Sequence, residues 1–120
     1  MRKHQEMLKR GKVSVWVGNM TSEDELLSYL DDGGFASDFD FEVNPRLGRE
    51  LKSVPHPATL ERLVEGFSSW RVFGKACVKK GQDIGLHSAN CMVVFYAFEY
   101  VPSLRINQKA PLAFVGSFDF

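Results

Sequence analysis

Val13-Ser-Val-Trp-Val-Gly-Asn-Met-Thr-Ser-Glu-Asp-Glu-Leu26 reads as a strand, a turn and the start of a capped acidic helix. Val13, Val15 and Val17 alternate with Ser14, Trp16 and Gly18, the period of a strand with one apolar face. Gly18-Asn19 ends it. Ser22 followed by Glu25 fits the capping box, in which hydroxyl and carboxylate satisfy free backbone N–H groups at a helix start. Glu23, Asp24 and Glu25 then occupy the first turn, where the helix dipole favours negative charge. Leu26, Leu27 and Leu30 supply the apolar face, and Gly33-Gly34 stops the helix.

Outward from this stretch the pattern continues. Asp38 to Val43 alternates strictly, and predicts a strand with Phe39, Phe41 and Val43 buried and Asp38, Asp40 and Glu42 exposed. Pro45 to Pro57 reads as a basic, proline-bearing connector. Leu60, Leu63, Val64 and Phe67 follow helical spacing, with a break at Gly66 and Ser68-Ser69. A second helix from about Trp70 turns Trp70, Phe73, Cys77 and Ile84 inward and Arg71, Lys75 and Lys79 outward, stopping at Gly85. Cys91 to Tyr100 is almost continuously apolar and reads as a central strand. Leu112 to Phe120 is the last strand, with Gly116 as a bend or bulge.

The expected fold is α+β: a two-layer sandwich of a mainly antiparallel sheet of about four strands, with two to three helices on one side. Residues 1–11 read as a polar lead-in and residues 12–120 as a single domain. At 120 residues, 44% hydrophobic and with ten phenylalanines, the chain has core enough without a disulfide or metal staple. Cys77 and Cys91 lack metal-ligand spacing and read as two buried thiols of a cytoplasmic protein. The basic N-terminal stretch is followed by no apolar segment long enough for a signal peptide or a membrane span.

The net charge is zero, but its distribution is uneven. Residues 1–12 carry a net +4 and residues 46–80 a net +5, while residues 19–45 carry −8 with no Lys or Arg. The acids are Glu23, Asp24, Glu25, Asp31, Asp32, Asp38, Asp40 and Glu42. Three carboxylates on one strand face invite a hard cation, but same-face neighbours stand about 7 Å apart, too far for three to close on one ion. No metal and no cofactor is therefore expected. Gly66-Phe-Ser-Ser-Trp70 begins like a nucleophile elbow but ends in Trp70 and follows no strand; His4 lies in the lead-in, His56 between two prolines, and His87 four residues before Cys91, which opens a buried strand. The basic face of Arg71, Lys75, Lys79 and Lys80 is most simply a solvated surface, and the acidic segment opposes a polyanion, so direct nucleic-acid binding is not expected. Local acidity without a reactive cluster points to a protein partner with a basic surface. A small enzyme or ligand-binding domain, using a cleft between sheet and helices, is the rival reading.

The string Val13 to Leu30 resembles the opening of the immunity protein 22 family of bacterial polymorphic-toxin and contact-inhibition systems. Ser37-Asp-Phe-Asp-Phe41, Leu63-Val-Glu-Gly-Phe-Ser-Ser-Trp70, Val93-Val-Phe-Tyr-Ala-Phe-Glu-Tyr100 and Pro111-Leu-Ala-Phe-Val-Gly-Ser-Phe-Asp-Phe120 are similar in the same order. The resemblance spans residues 12–120. It departs after Leu30, where Asp31-Asp-Gly-Gly34 is shorter than the family's acidic and aromatic stretch. It implies a cytoplasmic antidote that binds the C-terminal domain of a cognate toxin, often a nuclease, with no catalysis of its own. The toxin-binding residues expected are Asp38, Asp40 and Glu42, with Glu23, Asp24, Asp31 and Asp32 beside them and Trp16 as an aromatic anchor.

Overall fold

The structure is a computed structural model that describes all 120 residues. Its centre is a four-stranded antiparallel sheet in the order β4-β5-β2-β6, formed by β2 (Leu8–Gly18), β4 (Arg49–Thr59), β5 (Ser88–Phe98) and β6 (Leu112–Asp119). Helices α1 (Glu23–Asp31), α2 (Gly34–Phe39), α3 (Leu60–Val64) and α4 (Trp70–Asp83) complete the α+β sandwich. No helix is long and apolar enough to cross a membrane.

The expected class and the four-stranded sheet stand, but helices cover both faces of the sheet rather than one. Val13, Val15, Val17, Met92 and Val94 pack with Leu63, Phe73 and Cys77 of α3 and α4. Trp16, Cys91, Val93 and Phe95 point the other way and pack with Leu26, Leu30, Phe35 and Phe39 of α1 and α2. A strand buried on both faces must be apolar at every position, which is why Cys91 to Phe95 runs without a polar residue. The same geometry places Cys77 and Cys91 in separate clusters on opposite faces, so the two thiols cannot pair in the folded chain. Burial pushes Cys77 up to about 12 and Cys91 up to about 11, which keeps both protonated.

Three segments differ from their expected structure. The proposed strand Asp38–Val43 is mostly helix: α2 runs from Gly34 to Phe39, Asp40 closes it at φ 59°, and only Phe41–Glu42 is strand (β3). Phe35 and Phe39, one helical turn apart, both reach Trp16, at centroid distances of 5.1 and 5.7 Å. That i, i+4 pair outweighs the alternation of Phe39, Phe41 and Val43, whose last member is only half-buried.

The second correction concerns the connector. Arg49–Thr59 is an edge strand, with Pro55 and Pro57 inside the register shift between Ser53 and Ala58. Proline lacks the ladder N–H, so it is tolerated where pairing is already interrupted. The third concerns residues 1–11, which belong to the fold. Arg2–Lys3 (β1) pairs in parallel with Phe41–Glu42, His4–Met7 forms a 3₁₀ turn with His4 and Met7 buried, and β2 begins at Leu8.

On α4, Phe73 and Cys77 face inward as expected, and Trp70 is half-buried, but Ile84 is exposed at the helix end. Gly81 takes the inner position instead. The turn at Gly85 follows the expectation: its N–H donates to the Gln82 carbonyl and that of Leu86 to the Gly81 carbonyl. The bulge also falls at Gly116, where Val15 pairs with Gly116 and Trp16 with Phe114, leaving Val115 extra.

Candidate interaction surface

The eight acids of residues 19–45 divide into two groups. Helix α1 starts as its sequence demands, with the Glu25 N–H donating to Ser22 Oγ at 3.1 Å. The return half of the capping box is absent, because the Glu25 carboxylate accepts from the Thr21 hydroxyl instead. Asp31 meets the fork of Arg49 from β4, at 2.8 and 3.4 Å. Asp38 accepts from Tyr29 Oη at 2.6 Å and from Asn107 Nδ2 at 2.9 Å. Burial, then the bond to Asp38, pushes the Tyr29 hydroxyl well above the usual tyrosine range, so it stays a donor. Asp40 accepts from Ser103 Oγ at 2.9 Å and lies 3.8 Å from Arg2 Nε.

Asp38 and Asp40 are therefore half-buried tethers rather than a solvated face. They tie α2 and the turn after it to the loop of residues 99–111, and Arg2 adds the N-terminal segment. Arg2 Nε donates to the Asp40 carbonyl at 3.1 Å and its guanidinium lies 5.4 Å from the Tyr100 ring.

The other group is free. The fold's five ion pairs leave Glu23, Asp24, Asp32 and Glu42 exposed and without a basic partner. Asp31 and Glu42 share a depression of about 220 Å³ at the end of α1, also lined by Leu30, Gly33, Ala36 and Val43. Asp31 is the last residue of α1 and Asp32 its C-cap, where the helix dipole disfavours negative charge by about 0.3–1 kcal/mol each. Arg49 offsets the cost at Asp31, and nothing offsets it at Asp32. Glu23 and Asp24 stand at the far end of the helix, roughly 12 Å away at 1.5 Å per residue.

Trp16 is not an anchor. It is fully buried, packed by Phe35, Phe39, Phe95, Tyr100 and Phe114. Ser14 lies on the same strand face. That hydroxyl is satisfied internally, donating to the Phe98 carbonyl at 2.9 Å and accepting from the Tyr100 N–H at 2.9 Å. A polar residue on a strand need not see water when the chain supplies its partners.

Of the remaining candidate reactive groups, Ser68 and His4 are engaged structurally, while His56 and His87 are exposed. Ser68 Oγ donates to Glu50 Oε2 at 2.8 Å, and Tyr96 Oη donates to Glu50 Oε1 at 2.6 Å. Burial would raise Glu50, but the bonds from Tyr96 and Ser68 outweigh it and hold the carboxyl below its usual value. This clamp pins the α3–α4 turn to β4. His4 Nδ1 accepts from the Asn44 N–H at 3.1 Å, while Nε2 is buried among Phe41, Phe95 and Phe98 without a partner.

One feature went unread in the sequence. A groove of about 450 Å³ opens between α3 and α4, with Val64, Trp70, Gly74 and Val78 as its floor. Arg71, Lys75 and Lys79 form one wall and Glu61 and Glu65 the other. Gly74 in mid-helix was the available signal. No family model matches this chain, and neither a curated protein nor a solved structure shows significant similarity to it.

Proposed function

We propose that this protein is an immunity protein that binds a cognate toxin domain and neutralises it in the cytoplasm, without turnover of its own. The observation that carries the reading is the division of the acidic segment. Glu25, Asp31, Asp38 and Asp40 are consumed by the fold, whereas Glu23, Asp24, Asp32 and Glu42 are solvated and unpaired. A basic toxin surface, such as a nuclease groove, would meet these carboxylates with fast, salt-sensitive association. The order of motifs along residues 12–120 supports the same reading. The binding set is thus Glu23, Asp24, Asp32 and Glu42, with Asp31 shared with Arg49.

The test is co-expression with the C-terminal domain of any large secreted protein whose gene adjoins this one, scored by survival and co-purification. Reversal of the four free acids to Lys leaves the fold intact. It weakens binding by about 1 kcal/mol or less per residue at an exposed rim, and by several kcal/mol in total where the pairs are desolvated. Full protection by the quadruple variant, at an unchanged association rate, would place the interface elsewhere, with the Arg71, Lys75 and Lys79 face next in line.

A further inference from the structure

We infer that the groove between α3 and α4 is a binding site for a small apolar molecule bearing a carboxylate. It lies on the face of the sheet opposite α1, so it is independent of the acidic surface. Its volume of about 450 Å³ is in the range of small-ligand sites.

The decisive residue is Gly74. Glycine is unfavourable in mid-helix, so a glycine there calls for a reason. Packing supplies one at Gly81, where an added Cβ would stand 2.3 Å from Leu60 Cδ1. It supplies none at Gly74. A Cβ there would meet Val64 Cγ1 at 3.4 Å and the Trp70 ring at 3.7 Å, ordinary contact distances, and the backbone is not left-handed. Gly74 is itself buried, and its missing side chain lets the groove reach down to the α4 backbone between Val64 and Trp70.

The charges around the floor select the ligand. Arg71, Lys75 and Lys79 recur every fourth residue and so line one side of α4. Lys79 has Asp83 at 3.8 Å, but Lys75 has no carboxylate partner and Arg71 has only the Trp70 ring, 5.3 Å away. Across the groove, Glu61 accepts from Gln82 Nε2 at 3.0 Å, and Glu61 and Glu65 repel an anion from that side. An apolar body therefore lies over Val64, Gly74 and Val78 with its carboxylate toward Arg71 and Lys75.

The test is an amide-resolved NMR titration of the whole protein with phenylpropionate, its neutral amide and phenethylamine. Phenylpropionate should give saturable shifts at the Trp70 indole N–H and the Gly74 and Val78 amides, and bind about tenfold more tightly than the amide. Arg71→Gln with Lys75→Gln should reduce it to the level of the amide. Gly74→Leu should abolish binding in a variant whose circular-dichroism spectrum matches that of the parent. Should that variant misfold, the Arg71 and Lys75 substitutions carry the test alone. The inference is overturned if no saturable shift appears at millimolar ligand, if the amide or the amine binds as well as the carboxylate, or if folded Gly74→Leu still binds. None of these outcomes depends on whether a toxin is neutralised.

Discussion

Reversing charge at Asp38, Asp40 and Glu42 one residue at a time separates carboxylates that hold the fold from those free to meet a partner. Asp38→Lys removes the acceptor for Tyr29 Oη at 2.6 Å and for Asn107 Nδ2 at 2.9 Å. Hydrogen bonds to a charged group contribute about 1.5–3 kcal/mol each when buried, and half-exposure discounts them, so the loss is about 3 kcal/mol. Asp40→Lys loses the Ser103 bond and places a cation beside Arg2, at a cost of about 2 kcal/mol. Glu42 is exposed and unpaired, and its reversal stays within about 0.5 kcal/mol. Urea unfolding at constant slope reads these differences directly, as midpoint drops of about 1–2 M for Asp38→Lys and almost none for Glu42→Lys. A cycle with Tyr29→Phe should return a coupling of about 1–2 kcal/mol with Asp38. Equal stability of all three reversals would refute the division of the acids and return Asp38 and Asp40 to the solvated surface.

Two further outcomes follow from the same packing. Gly74→Ala should stabilise the protein by about 1 kcal/mol through helix propensity, whereas Gly81→Ala should destabilise it by about 1–3 kcal/mol through the clash with Leu60, and urea midpoints moving in the same direction would contradict the packing. His4 should make stability fall in acid: burial, then Arg49, lowers its proton affinity below the ordinary value of 6.5. The unfolded chain then takes up the proton first, so the contribution is complete above 6.5 and is lost as pH falls below it. His4→Leu should flatten that part of the stability–pH curve, and an unchanged slope would count against the assignment.

Elements with local signals were legible in the amino-acid sequence. Val13 to Val17 alternates, Ser22 caps α1, Gly85 ends α4 and Gly116 bulges β6, and each follows from backbone or side-chain chemistry within a few residues. The unbroken apolar run after Cys91 likewise implied a central strand. The tertiary structure decided what depends on distant partners. Phe35 and Phe39 are helical because both reach Trp16, and Ser14 is buried because Phe98 and Tyr100 satisfy its hydroxyl. Arg49–Thr59 is a strand because the edge of β5 supplies its ladder, despite two prolines. The candidate site divides in the same way. The −8 charge of residues 19–45 was legible from composition, but which carboxylates remain free was not. That depended on Arg2, Arg49, Ser103 and Asn107, each brought to its acid by the folding of segments 18 to 69 residues away.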